Sequence, residues 1–367
     1  MIQVSKKHLA GALQQAARIA GTSSKRDVAE TALLLTVEPH GLTITAHRDV
    51  HLRQRVPATA QLGMDGTRAV VPAALTAQLV MNCAAAELEL AFEKDLVRII
   101  SGGSSVTVNT VNEHADHFDR HTGASGGATV ALPAADLAAA INGTVYAASS
   151  AAFQAVFRGQ LITGNADGLR IVASDGYRVA VADLPAPTPA PINAIIHATH
   201  TRELARMIAG AGNVTLQVSS THATVRTEDQ QLTLSMPLMH GDYPDYQRVM
   251  PETTSTIRLP AAQLRESLAR VAIMADKNAN NRCALTTENG RVTIAADGDY
   301  GRGQDTLQLD DWTGEPPHTI YVNSRFMLEA LATMTGQLTL ALAGTTRPFV
   351  LTSDAPGLRG VLVTLRP

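Results

Sequence analysis

Five side chains that can bind metals fall within eight residues of one polar stretch: His114, Asp116, His117, Asp119 and His121. Imidazole and carboxylate groups are ligands for zinc and similar divalent cations. This stretch, however, shows neither helical nor strand periodicity to fix the ligands, and no cysteine lies near it. We interpret it as a solvated linker. A metal-dependent enzyme with its site at a junction between domains is the alternative, and chelation would abolish the activity of such an enzyme.

No other motif predicts catalysis. The glycine-rich segments at 102–104 and 301–303 do not lie between a strand and a helix, as phosphate-binding loops do, so we predict both to be turns. The signatures of serine hydrolases, zinc proteases, P-loop ATPases and protein kinases are absent from the sequence. The sequence therefore predicts a protein without catalytic residues, bound metal or cofactor.

The elements that would position any site recur three times along the chain. One alternating apolar strand pattern is found at Leu42–Ala46, Leu169–Ala173 and Val292–Ala296, and helices with a leucine stripe recur at nearly the same spacing. The period is about a third of the 367 residues, far longer than a solenoid repeat of roughly 20–50 residues. Each copy is therefore predicted to be a domain, and the predicted ranges are 1–124, 125–252 and 253–367.

Each copy has the order strand, helix, strands, helix, strands. The predicted helices lie around Leu9, from Pro72, and at about 134–147, 199–210, 261–275 and 323–334. Short alternating strands with tight turns favour antiparallel sheets with one buried face. The predicted fold class is α+β, with three repeated modules of two helices packed on antiparallel sheets.

Composition limits the class of protein further. With 45% hydrophobic and 17% charged residues the chain is globular, and its two cysteines fit a reducing cytoplasm. We expect no signal peptide and no membrane span, because the first helix is amphipathic and no run of 18 apolar residues occurs. A net charge of −3 argues against tight binding of nucleic-acid phosphates.

Several predicted helices nevertheless carry basic residues away from their apolar stripe, among them Lys7, Arg202, Arg206, Arg265 and Arg270. For a single helix this is most simply a solvated face. If three modules place such faces along one concave side, the charges would bind phosphates weakly and without sequence preference.

Two motifs are the most specific segments of the chain. Ser174–Val179 reads Ser-Asp-Gly-Tyr-Arg-Val, and Tyr243–Val249 reads Tyr-Pro-Asp-Tyr-Gln-Arg-Val. Together with a terminal strand that ends in Leu365-Arg366, they resemble the bacterial DNA polymerase III beta subunits, the DNA sliding clamps, over the whole chain. The resemblance implies the DNA clamp fold and a head-to-tail homodimer whose six domains form a closed ring around double-stranded DNA. Such a clamp is a non-catalytic processivity factor of DNA replication, and its topological linkage agrees with the weak DNA binding expected from the charge.

The resemblance also implies three sets of site residues. The replicative polymerase, the clamp loader and repair proteins would insert a short peptide into a groove lined by Phe157, Ser174, Gly176, Tyr177, Arg178, Val179, Pro244, Val249, Phe326, Pro348, Val361, Val363 and Leu365. DNA would contact Lys7, Lys25, Arg26, Arg202, Arg206 and Arg282. The dimer interface would place Val106 and Val108 near Ile273 and Met274, where an edge strand of one subunit joins a sheet of the other.

Other interpretations of the same residues stay open. The groove residues could be ordinary core residues of the second module, Val179 in particular. A repeat-built adaptor that binds proteins without DNA would explain the repeat without a ring.

Overall fold

A computed structural model describes residues 1–21, 28–119, 126–150, 155–315, 319–354 and 357–366. The helices are α1 (Lys6–Ala20), α2 (Ala73–Asn82), α3 (Ala115–Asp119), α4 (Ala134–Thr144), α5 (Ala198–Ile208), α6 (Ala261–Val271) and α7 (Ser324–Leu331). The strands up to residue 133 are β1 (Ile2–Ser5), β2 (Ala32–Glu38), β3 (Gly41–His47), β4 (His51–Ala60), β5 (Arg68–Pro72), β6 (Glu87–Phe92), β7 (Leu96–Ser101), β8 (Ser104–Asn109) and β9 (Ala128–Pro133). Those up to residue 260 are β10 (Gly159–Asn165), β11 (Gly168–Ser174), β12 (Arg178–Leu184), β13 (Ile192–His197), β14 (Asn213–Val218), β15 (His222–Thr227), β16 (Leu232–Pro237) and β17 (Ser255–Pro260). The remaining strands are β18 (Arg282–Glu288), β19 (Arg291–Gly298), β20 (Gly301–Gln308), β21 (Asp311–Thr313), β22 (Thr319–Asn323), β23 (Gln337–Leu342), β24 (Phe349–Ser353) and β25 (Leu358–Leu362).

The predicted order of elements occurs three times. A strand and a long helix (β1 and α1, β9 and α4, β17 and α6) are followed by several strands, a second helix (α2, α5, α7) and three more strands. Two of the long helices continue into a single 3₁₀ turn, at Val145–Ala147 and at Ala272–Met274, where the sequence predicted uninterrupted helix.

The first of two compact units comprises residues 1–135 and 207–238. Its strands form one antiparallel sheet in the order β8-β7-β6-β1-β4-β16-β15-β14-β9, and β3 joins β2 and β5 to β4. Leu9, Leu13 and Ala16 of α1 are buried, which is the apolar stripe that the spacing of three and four residues predicts. The pairing of β16 with β4 joins two of the sequence repeats in one sheet.

The second unit comprises residues 136–206 and 239–367. One antiparallel sheet has the order β13-β10-β11-β12-β25-β24-β23-β17-β21, and another has the order β20-β19-β18-β22. The side chains of Leu264 and Leu268 from α6, Ile294 from β19 and Leu340 from β23 are fully buried in one aliphatic core. The pairing of β12 with β25 joins the second and third repeats. The predicted boundaries near 124 and 252 stay a prediction.

Two local predictions are wrong. The segment at 301–303, predicted as a turn, begins strand β20, whereas the segment at 102–104 does form the turn between β7 and β8. The described part of the predicted linker is also structured. Helix α3 buries Phe118 against Ala32, Leu34 and Val70, and so the helix is anchored rather than solvated. One aromatic residue in a short polar stretch gives no periodicity from which a helix could be predicted.

Two histidines attach α3 to strand β3. The His117 ring donates from Nε2 to the backbone oxygen of His47 at 2.9 Å, and the His47 ring donates from Nδ1 to the backbone oxygen of His117 at 3.3 Å. Burial lowers the pKa of His47, and the nearby His117 ring lowers it further, while the hydrogen bond to the His117 backbone opposes both effects.

This arrangement predicts that stability falls in mild acid. The unfolded chain, in which histidine has a pKa near 6.5, binds a proton more readily than the folded state. The contribution of His47 is thus fully present above that pH and is lost as the pH falls towards the lowered pKa of the folded state. Urea unfolding at about pH 8 and about pH 5.5 should show this loss, and His47→Asn should reduce it. The exposed His40→Asn is the control, and an equal pH dependence in both variants would contradict the assignment.

Candidate partner-peptide groove

The two family-specific motifs meet in one pocket of the second unit. The pocket has an empty volume of about 510 Å³. It is lined by Phe157, Ser174, Gly176, Tyr177, Arg178, Val179, Tyr243, Pro244, Asp245, Tyr246, Val249, Pro348, Val361 and Val363. We call this pocket the groove. Of the residues predicted to line it, Phe326 and Leu365 are not in the lining, while Tyr243, Asp245 and Tyr246 line it without having been predicted.

Paired strands form the floor of the groove. Val179 of β12 lies opposite Val361 of β25, and both side chains are buried in an apolar cluster with Leu161 and Ile195. Val179 therefore belongs both to the core and to the groove lining, so its two interpretations are compatible. A floor that is part of the core is preformed, which lowers the entropy cost of binding a ligand.

A tight turn at one rim presents an aromatic side chain. Gly176 has a φ of +89°, a conformation that favours glycine. The Asp175 carboxylate accepts hydrogen bonds from the backbone N–H groups of Tyr177 at 2.9 Å and Arg178 at 3.1 Å, and Ser174 Oγ accepts one from Gly176 at 3.2 Å. The turn leaves the Tyr177 side chain 63% exposed at the edge of an apolar groove.

Arg178 anchors this turn from below. Its guanidinium donates to Asp175 at 2.9 Å, to Glu329 at 2.6 Å and to the backbone oxygen of Tyr146 at 2.8 Å. It also lies 4.3 Å from the centre of the Phe326 ring, a cation–π distance. Phe326 therefore packs beneath Arg178 and beside Tyr177 rather than in the lining. Burial raises the pKa of the Tyr146 hydroxyl, which stays protonated beneath the site.

A second Asp-x-x-Arg turn forms the opposite wall. Asp245 accepts from the backbone N–H of Gln247 at 3.1 Å and from Arg248 Nε at 3.1 Å, as Asp175 does in the first turn. The Tyr243 ring meets Phe157 edge to face, with ring centres 5.9 Å apart. Burial raises the pKa of Tyr243. The sequence signal that could have identified Tyr243, Asp245 and Tyr246 is the motif Tyr243–Val249 in which they stand, and its aromatic side chains line the groove.

The two turns allow a matched test of burial. Replacing Arg178, whose side chain is 6% exposed, removes the ion-pair partner of Asp175 and one of the two ion-pair partners of Glu329, which keeps Arg325. We expect Arg178→Ala to lower the free energy of unfolding by about 3 kcal/mol. Arg248, with a side chain 83% exposed, makes the same i,i+3 ion pair, and Arg248→Ala should cost less than about 1 kcal/mol. Urea unfolding of both variants measures the difference, and equal effects would rule out the anchoring role of Arg178.

The end of the chain closes the groove. Beyond β25, the backbone N–H of Val363 donates to the Tyr177 oxygen at 3.1 Å, and that of Leu365 donates to the Tyr321 oxygen at 2.7 Å. The first hydrogen bond attaches the terminal segment to the Gly176 turn. Leu365 is thus fixed by its backbone next to the groove.

Family models match the chain in two adjoining segments. The model described as the DNA polymerase III beta subunit, central domain, matches residues 131–245, and that of the C-terminal domain matches 247–356. Together these segments extend over more than half of the chain. The chain belongs to the DNA polymerase III beta subunit family.

Individual members of the beta subunit family agree with this assignment. The curated "Beta sliding clamp" of Synechocystis is 29% identical over 293 residues, which cover 72% of this chain and 73% of that protein. The one from Vibrio cholerae is 26% identical and covers 90% of this chain and 89% of its own. The crystal structure of a sliding clamp from Pseudomonas aeruginosa covers 100% of this chain and 99% of its own, with 23% identity and a TM-score of 0.91. The predicted α+β clamp fold is confirmed.

The structure places the residues predicted to bind DNA on exposed surfaces, so far as it describes them. Lys7 lies on α1 of the first unit, and Lys25 and Arg26 fall outside the described residues. In the second unit Arg202 and Arg206 lie one turn apart on α5, and Arg206 forms an ion pair with Glu203. Arg282 at the start of β18 lies 5.4 Å from the centre of the Tyr321 ring.

The predicted interface residues differ in exposure. Val106 on β8 is 39% exposed, whereas the Val108 side chain is buried within its own unit. Ile273 is 78% exposed and Met274 is 38% exposed, both in the 3₁₀ turn after α6. Each pair thus includes an apolar side chain at the surface of its own unit.

The histidine-rich stretch does not form a metal centre in the part of the chain that the structure describes. No group of three or more His, Cys, Asp or Glu side chains is arranged there to hold a metal. The ring of His117 faces the His47 backbone, and the Asp119 carboxylate accepts two hydrogen bonds from Arg68 at 2.8 and 2.9 Å. His121 falls outside the described residues. Among the described helices none has the length and apolarity needed to cross a bilayer.

Proposed function

We propose that this protein is a DNA sliding clamp: a non-catalytic ring that encircles duplex DNA and holds the replicative polymerase on its template. The observation that carries the proposal is the groove, because the two most family-specific segments, Ser174–Val179 and Tyr243–Val249, meet in it. Membership of the beta subunit family supports the same function. The curated relatives carry the name "Beta sliding clamp".

The groove is the proposed docking site for partner proteins. Its apolar floor and aromatic rims suit a short peptide with leucine or phenylalanine anchors, because buried apolar anchors supply most of the energy of such interfaces. The exposed Tyr177 and Val249, on opposite walls, are placed to close over such a peptide. Polymerase, clamp loader and repair proteins would then compete for one site on each subunit.

DNA binding is proposed to be weak and independent of sequence. The exposed Lys7, Arg202, Arg206 and Arg282, with Lys25 and Arg26, would contact phosphates in a protein whose net charge is −3. Each contact between a basic side chain and a DNA phosphate releases counterions from the DNA, and this release adds to the affinity and to its dependence on salt. A protein with few such contacts therefore binds DNA weakly. Topological linkage would keep the protein on DNA where these weak contacts could not. We propose that the protein acts in the cytoplasm.

The ring is proposed to be a head-to-tail homodimer of three-domain subunits, with domains at 1–124, 125–252 and 253–367. Two copies would join through the β8 edge of one subunit and the surface near Ile273 and Met274 of the other. A heterologous interface of this kind closes when its rotation is correct and otherwise builds a filament. Two subunits of three repeats would give six modules around the DNA.

Primer extension tests the function directly. On a long primed circular template with the cognate polymerase and clamp loader, addition of the protein should increase product length at least about tenfold in a single binding event. A polymerase that extends equally far without the protein would contradict the proposal. An adaptor without DNA would bind the polymerase and leave product length unchanged.

A further inference from the structure

Two arginines share one carboxylate on the sheet that forms the groove floor. Arg170 of β11 donates from Nε to Asp183 Oδ1 at 2.5 Å, and Arg359 of β25 donates from Nη2 to Asp183 Oδ2 at 2.5 Å. The three side chains are 37–39% exposed. Two guanidinium groups against one carboxylate leave one positive charge uncompensated within the group. We call these three residues the basic cluster.

The basic cluster lies on the groove side of the sheet. On β12, Val179 belongs to the groove floor, and Val181, two positions further on, lies opposite Arg359. Asp183 follows after two more positions and lies opposite Arg170. Side chains alternate between the two faces of a sheet at about 3.3 Å per residue, so residues two apart share a face about 7 Å from each other. The basic cluster therefore continues the groove floor beyond its apolar part.

A residue of the groove wall contacts the basic cluster. Arg170 Nη1 donates to the Tyr246 hydroxyl at 3.4 Å, and Tyr246 lines the groove. The Nε atom of Arg359 is buried and has no hydrogen-bond partner among the residues that the structure describes. A buried N–H group without an acceptor costs free energy, and a bound acceptor would recover it. The basic cluster thus adjoins the groove and keeps an unused donor.

A further carboxylate lies on the side of the basic cluster away from the groove. Asp167 stands in the turn between β10 and β11, three positions before Arg170, whereas β11 reaches the groove at its other end. On the groove side, the Asp245 carboxylate is already paired with Arg248 at 3.1 Å. An acidic group that enters from the groove therefore meets the guanidinium groups before it meets Asp167.

We infer that the basic cluster is an extension of the groove that selects partner peptides with an acidic side chain beside their apolar anchors. This inference rests on the proposed docking of partner peptides and specifies their chemistry. An aspartate or glutamate of the peptide accepts charge-assisted hydrogen bonds from Arg359 and Arg170. Because these side chains are partly exposed, solvent screens the attraction, and the gain in affinity is about fivefold.

Fluorescence polarisation with labelled synthetic peptides and the full chain tests the inference. Each peptide has a Leu-Leu-Phe anchor in a Gly-Ser sequence, an amidated C-terminus, and a single Glu, Gln or Lys at one of the three positions on either side of the anchor. At one position the Glu peptide should bind about fivefold more tightly than the Gln peptide, and the Lys peptide should bind more weakly than both. Equal affinities of the three peptides at every position would overturn the inference.

Variants of the basic cluster should change this preference in opposite directions. Arg359→Gln should remove the preference for Glu, while Asp183 keeps Arg170 as its partner. Asp183→Asn should increase the preference, because the carboxylate that competes with the peptide is gone. Arg98→Gln is the control, since Arg98 is also paired, is 44% exposed and lies outside the groove lining. A preference that survives in Arg359→Gln would overturn the inference. Circular dichroism verifies folding, and Arg359→Met replaces a variant that does not fold.

The same titrations separate this inference from the proposed groove. Tyr177→Ala should weaken all peptides by a similar factor, whatever their charge, because its side chain stands at the apolar rim. Binding that is independent of peptide charge but weakened by Tyr177→Ala would overturn the inference and leave the groove as the docking site. If no peptide binds, or if Tyr177→Ala changes no affinity, both the groove and the inference are wrong.

Discussion

Removal of the last five residues, 363–367, abolishes stimulation of the polymerase while the dimer persists. This result is expected because Val363 lines the groove and its backbone N–H donates a hydrogen bond to the Tyr177 backbone oxygen. Strand β25 ends at Leu362 and keeps its pairing with β12 and β24, so the sheet beneath the groove survives the deletion. Primer extension measures the loss of stimulation, and sedimentation measures the dimer. Undiminished stimulation would show that the groove is not the docking site.

Point variants separate the groove from the end of the chain. Tyr177→Ala and Val249→Asp alter exposed side chains on opposite walls, so neither change opens a cavity in the core. Each should weaken polymerase binding at least about tenfold, the effect of losing one anchoring contact. Trp312→Ala, a half-exposed aromatic on β21 outside the groove lining, is the matched control. Equal losses in all three variants would indicate a general defect rather than a binding site.

Variants of the dimer interface are expected to keep polymerase binding and to lose the increase in product length. Val106→Asp and Ile273→Asp should remove the increase in product length almost completely, because an open subunit cannot stay linked to DNA. Their groove is unaltered, so polymerase binding in solution should match that of the original protein within about twofold. This affinity is measured as binding of each variant to a polymerase fragment immobilised on a surface. A variant that stays monomeric yet still supports long products would exclude the ring as the source of processivity.

The repeat and most of the helices could be predicted from the sequence because their signals are local. Leucine spacing in α1 and α6 and alternation in β3, β11 and β19 repeat over many residues. Helix α3 could not be predicted, since a single buried Phe118 leaves no period. The compact units differ from the predicted modules because β16 pairs with β4, and β12 with β25. Such pairing between distant strands leaves no mark in local sequence.

The groove was predicted from the family resemblance that the motifs carry, not from geometry. Gly176 and Pro244 were assigned to the lining on that resemblance, and they do line it. Tyr243 and Tyr246 stand in the same motif, but which of its side chains face the groove depends on how the turn folds. The role of Arg178 was hidden for a similar reason. Its second partner, Glu329, lies 151 positions away in the chain, and only the fold brings the two together.

Topological linkage is the central claim, and linearisation of loaded DNA tests it most directly. The protein is loaded by the clamp loader onto nicked circular DNA, free protein is removed by gel filtration, and one sample is cut once with a restriction enzyme. The ring predicts that the protein co-elutes with the circle and leaves the linear molecule within minutes by sliding off its ends. Equal retention on circular and linear DNA would contradict the account, because it would mean that contacts rather than a closed ring hold the protein.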